Sequence, residues 1–411
     1  MWHQPSNSEH VRRRLLAMLA TEQQSGPSTE ADSDRAEWLQ LQRMVGQHRL
    51  KPLLHDLNRH RCGTWNIPPE IKASWETAFR DSAMESLAIQ HTLFRVTGKL
   101  EDAGIEYAAL KGARLAWHAY THPALRPMRD LDILIAPGRL LDAYQALIDN
   151  GFSTSADNRM PIDFAVKHHK HLPGLLDPAT RIYVELHSRI FEHQSPASSD
   201  SVLFKSDELL ANRVWLPLGG ASIAYLPATE TLIHLIVHSA CEHRFDNGPQ
   251  ILNDISAFLG SAEIDWRHFW TLACKGGWAR SCQLLLALTV KYHGPQPIDW
   301  TGCPSEPVPD GVLDDAAMMM LQDFEQRGDL QLQLYLATGV AAANRISIWK
   351  RLMPARHIVA AYADKPADHP FVWLYYPLWL VSRLLRTWRG TFNPAQRAEV
   401  ARAVRVDEWL R

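Results

Sequence analysis

The sequence lacks several features that would assign a chain to a class at once. It has five cysteines with no CxxC spacing, which provides neither a disulfide framework nor a common zinc motif. Its formal net charge of −2 gives no bulk basic field for nucleic acid. No apolar run reaches the length of about 18 residues that a membrane span needs, and no signal peptide follows Arg12–Arg14. We therefore expect a cytoplasmic protein with reduced thiols.

The composition is that of an ordinary globular protein. Hydrophobic residues make up 46% of the 411 residues and charged residues 21%, with no fixed-period repeat. Apolar periodicity predicts an α+β protein in which a small mixed β-sheet lies between helical regions. The predicted regions are an N-terminal helical region (1–85), an α/β core (86–220), a helical domain packed on that core (221–300) and a C-terminal helical region (301–411).

One stretch, from Ile105 to Pro137, contains the most informative polar residues. Asp130 and Asp132 alternate with apolar residues of a predicted strand, so both carboxylates point to one face while Leu131 and Ile133 point into a core. Two carboxylates on one face repel each other unless a cation or a shared proton lies between them. A divalent ion with oxygen ligands, Mg²⁺ above all, is the simplest solution.

A third carboxylate lies on a second alternating segment, RIYVELHSR. Glu185 and His187 face away from the apolar residues of this predicted strand. Three carboxylates on neighbouring strands can hold two Mg²⁺ ions about 3.5–4 Å apart, and the third can accept a proton from an attacking hydroxyl. His169, His171 and His187 are candidates to line the same site or are polar loop and strand-end residues, and His187 is the strongest of them.

Basic residues near the Asp pair suggest phosphate contacts. Lys111 and Gly112 end a predicted strand just before a helix, where glycine lets backbone N–H groups approach an anion. Arg126 and Arg129 are placed to pair with phosphate oxygens. The alternatives are that Lys111 solvates a strand end and that the two arginines are surface charges or partners of Asp130.

Taken together, these motifs resemble a known family. The chain is similar to the uncharacterised nucleotidyltransferase family of bacteria, within the DNA polymerase β-type nucleotidyltransferase superfamily. The similarity lies in three motifs in this order: LKG, R-x-x-R-D-x-D and VELH. The resemblance covers roughly residues 36–290 and includes three further segments, HRLKPLLHDL, HLPGL and HLIVHSACEH…LNDISAFL.

The resemblance implies roles for individual residues. Asp130 and Asp132 match the metal-binding Asp-x-Asp, and Glu185 matches the third acidic position. Lys111-Gly112 takes the place of the superfamily's Gly-Ser turn, with Ala113 where Ser is common and a longer interval before Asp130. The expected nucleotide contacts are then Lys111, Gly112, Arg126, Arg129 and His187.

The function expected on this basis is Mg²⁺-dependent transfer of a nucleoside monophosphate from an NTP such as ATP, with Mn²⁺ as an alternative ion. The acceptor would be a hydroxyl or phosphate of a small molecule, peptide or protein rather than a long nucleic acid. Two alternatives remain open: an inactive nucleotide-sensing or scaffold protein of the same fold, and a partner-binding, antitoxin-like module.

Two further features have competing interpretations. His234 and His238 have metal-ligand spacing on a predicted helix, but without the zincin Glu a packed helix is favoured over zinc. The aromatic segment 371–388 resembles a membrane-surface helix with Arg383, Arg386 and Arg389. Pro377 interrupts it, so core or dimer packing is favoured.

Overall fold

The chain forms two compact units, residues 1–308 and 309–411, in the computed structural model. The structure describes residues 9–21, 35–61, 65–154, 161–192, 203–303, 306–322, 333, 356–365 and 369–411. The first unit contains the β-sheet and every residue expected in the site.

Helices make up the described N-terminal part of the first unit. They are α1 (Glu9–Leu19), α2 (Arg35–Gln47), α3 (Lys51–His60) and α4 (Pro69–Asp102). With 34 residues, α4 is about 50 Å long at 1.5 Å per residue. Pro69 lies in its first turn, where a missing N–H costs nothing. The predicted helix from Pro68-Pro69 to the turn at Gly104 is thus confirmed.

A mixed seven-stranded sheet follows, in the order β3-β4-β5-β2-β1-β7-β6. Its central strand β2 pairs antiparallel with β1 and parallel with β5, and β1 pairs parallel with β7. The strands are β1 (Tyr107–Ala109), β2 (Asp130–Ile135), β3 (Ser153–Thr154), β4 (Leu175–Leu176), β5 (Tyr183–His187), β6 (Val214–Leu218) and β7 (Ala221–Tyr225).

One hydrophobic core joins α4 to the sheet. Leu131 and Ile133 of β2 and Val184 of β5 belong to the same buried cluster as Leu93 and Val96 of α4. The alternation that buries these side chains leaves Asp132 and Glu185 on the opposite face of the strands. The core therefore determines which face of the sheet carries the polar residues.

Further helices of the first unit connect and flank the strands. They are α5 (Gly112–His118), α6 (Leu140–Asp149), α7 (Ile162–His168), α8 (Ser206–Ala211), α9 (Ala228–Val237), α10 (Gln250–Ser261), α11 (Trp266–Lys275) and α12 (Ala279–His293). A single π-helical turn, His238–Glu242, continues α9.

The second unit is helical in its described part. It contains α13 (Asp310–Met319), α14 (Arg356–Tyr362), α15 (Tyr376–Thr391) and α16 (Pro394–Leu410). Arg405 of α16 pairs with Asp315 of α13 through two contacts of 2.7 and 2.9 Å. In the aromatic segment, Trp379 is buried in a small local core, whereas Trp373 and Trp388 are exposed.

The expected fold class is confirmed: a mixed sheet lies between helical regions. The finer domain boundaries at residues 86, 221 and 301 stay predictions. Apart from Gln333, the helices predicted at 330–343 and 347–352 lie outside the described residues. Among the helices that the structure describes, none combines the length and apolar character that crossing a bilayer requires.

Candidate metal and nucleotide site

Two of the expected acidic residues lie opposite each other in the sheet. In the parallel pair of β2 and β5, Asp132 is in register with Glu185, and Leu134 is in register with His187. Because side chains on one face recur every second residue, Asp132, Glu185 and His187 emerge on the same side. Asp130, two residues earlier on β2, shares that face.

Three of these side chains form a compact cluster. His187 Nε2 lies 2.7 Å from Asp132 Oδ1 and 3.6 Å from Glu185 Oε2. One potential ligand atom from each residue lies within 4.8 Å of the other two, and Nδ1 of His187 is buried without a hydrogen-bond partner among the described residues. The donor set of two carboxylates and an imidazole suits a divalent cation such as Mg²⁺, Mn²⁺ or Zn²⁺.

Lys111 supplies a positive charge to this cluster. Its Nζ lies 3.2 Å from Asp132 Oδ2, and only 14% of its side chain is exposed. Burial acts to lower the pKa of Lys111, but the charges of Asp132 and Asp130 raise it above its ordinary value. In return, although burial opposes this, Lys111 and His187 hold the pKa of Asp132 well below its usual range. Lys111 and Asp132 are therefore a charged pair at neutral pH.

Asp130 has a different environment from Asp132. It reaches the surface at the beginning of β2, yet the protein around its carboxylate excludes enough water to favour the neutral acid. This desolvation, together with the negative charges of Asp132 and Glu185, raises the pKa of Asp130 to about 6. Within the described part of the chain, Asp130 has no ion-pair partner, so a cation that binds here would relieve its repulsion from the other two carboxylates.

The backbone at Lys111-Gly112 turns sharply from β1 into α5. Lys111 has a φ of 43°, a left-handed conformation that is uncommon for a residue with a side chain. At Gly112, an added Cβ would lie 2.6 Å from Met128 Sδ and 2.7 Å from Arg126 Nη1. Gly112 thus makes room for the segment that leads into β2, whether or not a phosphate also approaches it.

Arg126 is held by an acidic residue from a distant part of the chain. Its Nε and Nη2 donate to the two carboxylate oxygens of Asp254, at 3.3 and 3.2 Å. Tyr120 also donates to Asp254, at 2.7 Å. One edge of the Arg126 guanidinium is therefore occupied, while Nη1 lies beside Gly112. Arg126 is a partner of Asp254 rather than of Asp130, which had been one alternative.

The remaining expected residues take different positions. Arg129 is exposed, beside Asp130 in the sequence. His171 Nε2 lies 3.7 Å from Glu185 Oε2, and its ring is 5.1 Å from the ring of His187. His169 instead pairs with Glu192 at 3.2 Å. The structure thus brings His171, but not His169, to the carboxylates.

A second polar network adjoins the cluster and was missed by the sequence reasoning. Glu242, in the π-helical turn, accepts from Lys170 at 2.7 Å and pairs with His238 at 2.8 Å. Burial, and then the positive charge of Lys111, lower the pKa of His238 to about 3. His238 and Glu242 both lie in the HLIVHSACEH segment, four residues apart on one helical face, but the His spacing alone does not reveal their pairing.

Fold and site together define a mixed α/β protein with a carboxylate–imidazole cluster able to hold a divalent cation. The chain belongs to the uncharacterised nucleotidyltransferase family, whose model matches residues 34–294. The match includes the cluster, Lys111 and Asp254. The family supports a nucleotidyltransferase activity in general, with an NTP as substrate. A comparison with curated proteins finds no match.

Proposed function

We propose that this protein is a Mg²⁺-dependent nucleotidyltransferase of the DNA polymerase β type, which moves a nucleoside monophosphate from an NTP to a hydroxyl or phosphate acceptor. The single observation that carries the proposal is the cluster of Asp132, Glu185 and His187, whose potential ligand atoms lie within 4.8 Å of one another. Mn²⁺ is a plausible substitute for Mg²⁺ because both prefer oxygen ligands.

Asp130, Asp132 and Glu185 would hold the metal, with His187 at the rim of the same donor set. When bound, the ion neutralises the phosphate charge and polarises the transferred phosphoryl group. The residues fit this role because Asp130 lacks an ion-pair partner among the described residues and the three carboxylates repel one another.

Glu185 is the strongest candidate to accept the proton of the attacking hydroxyl. It is partly exposed, so an acceptor can reach it. Burial acts to raise its pKa, but the nearby imidazole of His187 and the charge of His171 lower it below its ordinary value. Glu185 is then ionised at neutral pH and ready to bind a proton.

Lys111, Gly112 and Arg126 would bind the phosphates. Arg126 presents Nη1 beside Gly112 while Asp254 fixes the other edge of its guanidinium. A guanidinium held in this way is already oriented for a phosphate oxygen, so less conformational entropy is lost on binding. Arg129, at the surface, would contact the outer part of the substrate.

The acceptor is best sought among small molecules, peptides and proteins. The net charge of −2 provides no extended basic field to attract a long nucleic acid. A cytoplasmic location fits an NTP substrate and reduced cysteines.

One experiment tests the proposal. The protein is incubated with each α-labelled NTP and Mg²⁺, alone and with cell extract, beside the Asp130→Ala/Asp132→Ala double variant and an Asp142→Asn control. Asp142 is an exposed acid paired with Arg139, so its loss leaves the site intact. We expect label transfer that the double variant loses and the control retains. Binding without transfer would instead favour a nucleotide sensor, and neither binding nor transfer would overturn the proposal.

A further inference from the structure

Arg49 occupies a backbone position that normally favours glycine. Helix α2 ends in a Schellman motif, in which Arg49 N–H donates to Gly46 O at 3.2 Å and Leu50 N–H donates to Val45 O at 2.9 Å. The residue between the last helical turn and Leu50 must be left-handed, and Arg49 has a φ of 56°. Glycine is the usual residue there because it has no Cβ. The turn is therefore formed by a strained arginine.

The Arg49 side chain reaches the segment that leads into the site. Its Nη1 donates to Met128 O at 3.0 Å, and Met128 directly precedes Arg129 and Asp130. A guanidinium has five N–H donors, so one hydrogen bond to a carbonyl leaves most of them unused. Within the described residues, no carboxylate forms an ion pair with Arg49 or with Arg129.

Arg49 lies near enough to Arg129 and Asp130 for their charges to shift its pKa. Burial first, and then the positive charge of Arg129, lower the pKa of Arg49, while Glu85 and Asp130 raise it. Two neighbouring cations without an ion-paired acid favour an anion between them. A phosphate group is the anion that a nucleotidyltransferase site admits.

We infer that Arg49 and Arg129 form a phosphate-binding subsite beside Asp130, and that the N-terminal helices thereby contribute directly to substrate binding. This inference rests on the proposed function. The phosphate is either that of the donor NTP or that of a phosphorylated acceptor, and the two sources share one chemistry. Strain is retained at functional positions when the side chain has a use that glycine lacks.

The sharpest test uses a substitution that relieves the strain and removes the side chain together. Arg49→Gly suits the left-handed backbone, so we expect an unchanged or higher melting temperature. If the guanidinium binds phosphate, the same variant weakens binding of the Mg²⁺ complex of the NTP, or of pyrophosphate, at least tenfold. Stability and affinity would then change independently.

Two further variants complete the design. Arg181 is another arginine with positive φ, 65°, although it is exposed whereas Arg49 is half-buried. It forms none of the site contacts, so Arg181→Gly is the control and should keep full affinity. Arg129→Gln changes an exposed side chain and poses little risk to folding. It should weaken phosphate binding in the same direction as Arg49→Gly.

Calorimetric titration with NTP and with pyrophosphate reports the donor phosphates, and label transfer to phosphatase-treated extract reports an acceptor phosphate. Weaker binding of NTP or pyrophosphate supports the subsite and identifies the donor phosphates as its ligand. Reduced label transfer with unchanged binding supports the subsite and identifies an acceptor phosphate. Dissociation constants within twofold of the wild type, with unchanged labelling, would overturn the inference while leaving the proposed function intact. A wild-type protein that binds neither NTP nor pyrophosphate would overturn both.

Discussion

Asp132 on β2 lies directly opposite Glu185 on β5, in register within a parallel strand pair. The pleat directs both carboxylates to one face of the sheet, where their charges repel. Lys111, 3.2 Å from Asp132, is the cation that offsets this repulsion when no metal is bound. The negative charge of the site is therefore offset in large part by Lys111, which is mostly buried, and both the lysine and the carboxylates can be tested by substitution.

Replacing Lys111 with Met should destabilise the metal-free protein. Three carboxylates would then lose their buried counter-charge, and breaking a buried ion pair costs about 3 kcal/mol. We expect the free energy of unfolding in EDTA to fall by that order. A ligand that binds only the folded state stabilises it. Because the carboxylates of Lys111→Met lack their counter-charge, millimolar MgCl₂ should stabilise this variant more than it stabilises the wild type.

Urea denaturation with EDTA and with MgCl₂ measures both effects. Lys99→Met is the control, because Lys99 forms an exposed pair with Asp102 whose loss changes stability by less than about 1 kcal/mol. An equal response of Lys111→Met and wild type to Mg²⁺ would argue against a cation site beside Lys111.

Asp130 should make stability depend on pH in a defined direction. Its pKa of about 6 in the folded protein exceeds the value of about 3.9 in an unfolded chain. Between these values the folded state binds more protons than the unfolded state, so the contribution of Asp130 to stability falls as pH rises from about 4 to about 6. Asp130→Asn removes this term and should melt above the wild type at pH 7.

The difference between Asp130→Asn and wild type should shrink towards pH 4 and vanish below about pH 3, where Asp130 is protonated in both states. Thermal melts of metal-free protein across this range provide the measurement, with Asp142→Asn as an exposed control. A constant difference at every pH would mean that the charge of Asp130 is not the cause.

Alternation alone was enough to predict part of this site. The apolar residues Leu131 and Ile133 fix the face of β2, so the shared direction of Asp130 and Asp132 followed from the sequence. The register of β2 with β5 did not follow, since it depends on how residues about 50 positions apart pack in one core. His187 was expected to share the face of Glu185, but its contact with Asp132 required the register.

Arg126 and Gly112 illustrate what local reasoning misses. Asp254 lies 128 residues after Arg126, and only the packing of α10 brings the two together. Gly112 was interpreted as an approach for a phosphate, whereas the structure adds a packing reason, because Met128 and Arg126 fill the space that a Cβ would need. Side chains from distant segments determine both features.

Gly112→Ala should therefore be tolerated poorly. The new Cβ would overlap Met128 Sδ and Arg126 Nη1, and overpacking of this kind costs about 1–3 kcal/mol. Both contacts are ends of flexible side chains, so we expect the lower part of that range. NTP affinity should fall as well, because Arg126 must move.

Gly98 provides a control position, where substitution by alanine should increase stability rather than lower it. It lies in α4 with no atom within 4 Å of a Cβ, and Gly→Ala inside a helix stabilises by about 0.5–1 kcal/mol. Chemical denaturation and NTP titration compare the two variants. Full stability of Gly112→Ala would show that the segment around Met128 adapts without cost.

The Arg126–Asp254 pair separates folding from nucleotide binding. Asp254→Asn leaves a largely buried guanidinium without its carboxylate, and we expect a loss of about 3 kcal/mol in unfolding free energy. Tyr120→Phe removes only a hydrogen bond to the same carboxylate, at a cost of about 1–2 kcal/mol, and leaves the ion pair in place.

If Asp254 orients Arg126 for phosphate, Asp254→Asn weakens NTP binding several-fold whereas Tyr120→Phe does not. Titration of both variants with NTP, at a temperature where each is folded, decides the matter. Unchanged affinity in Asp254→Asn would show that Asp254 does not orient Arg126 for phosphate.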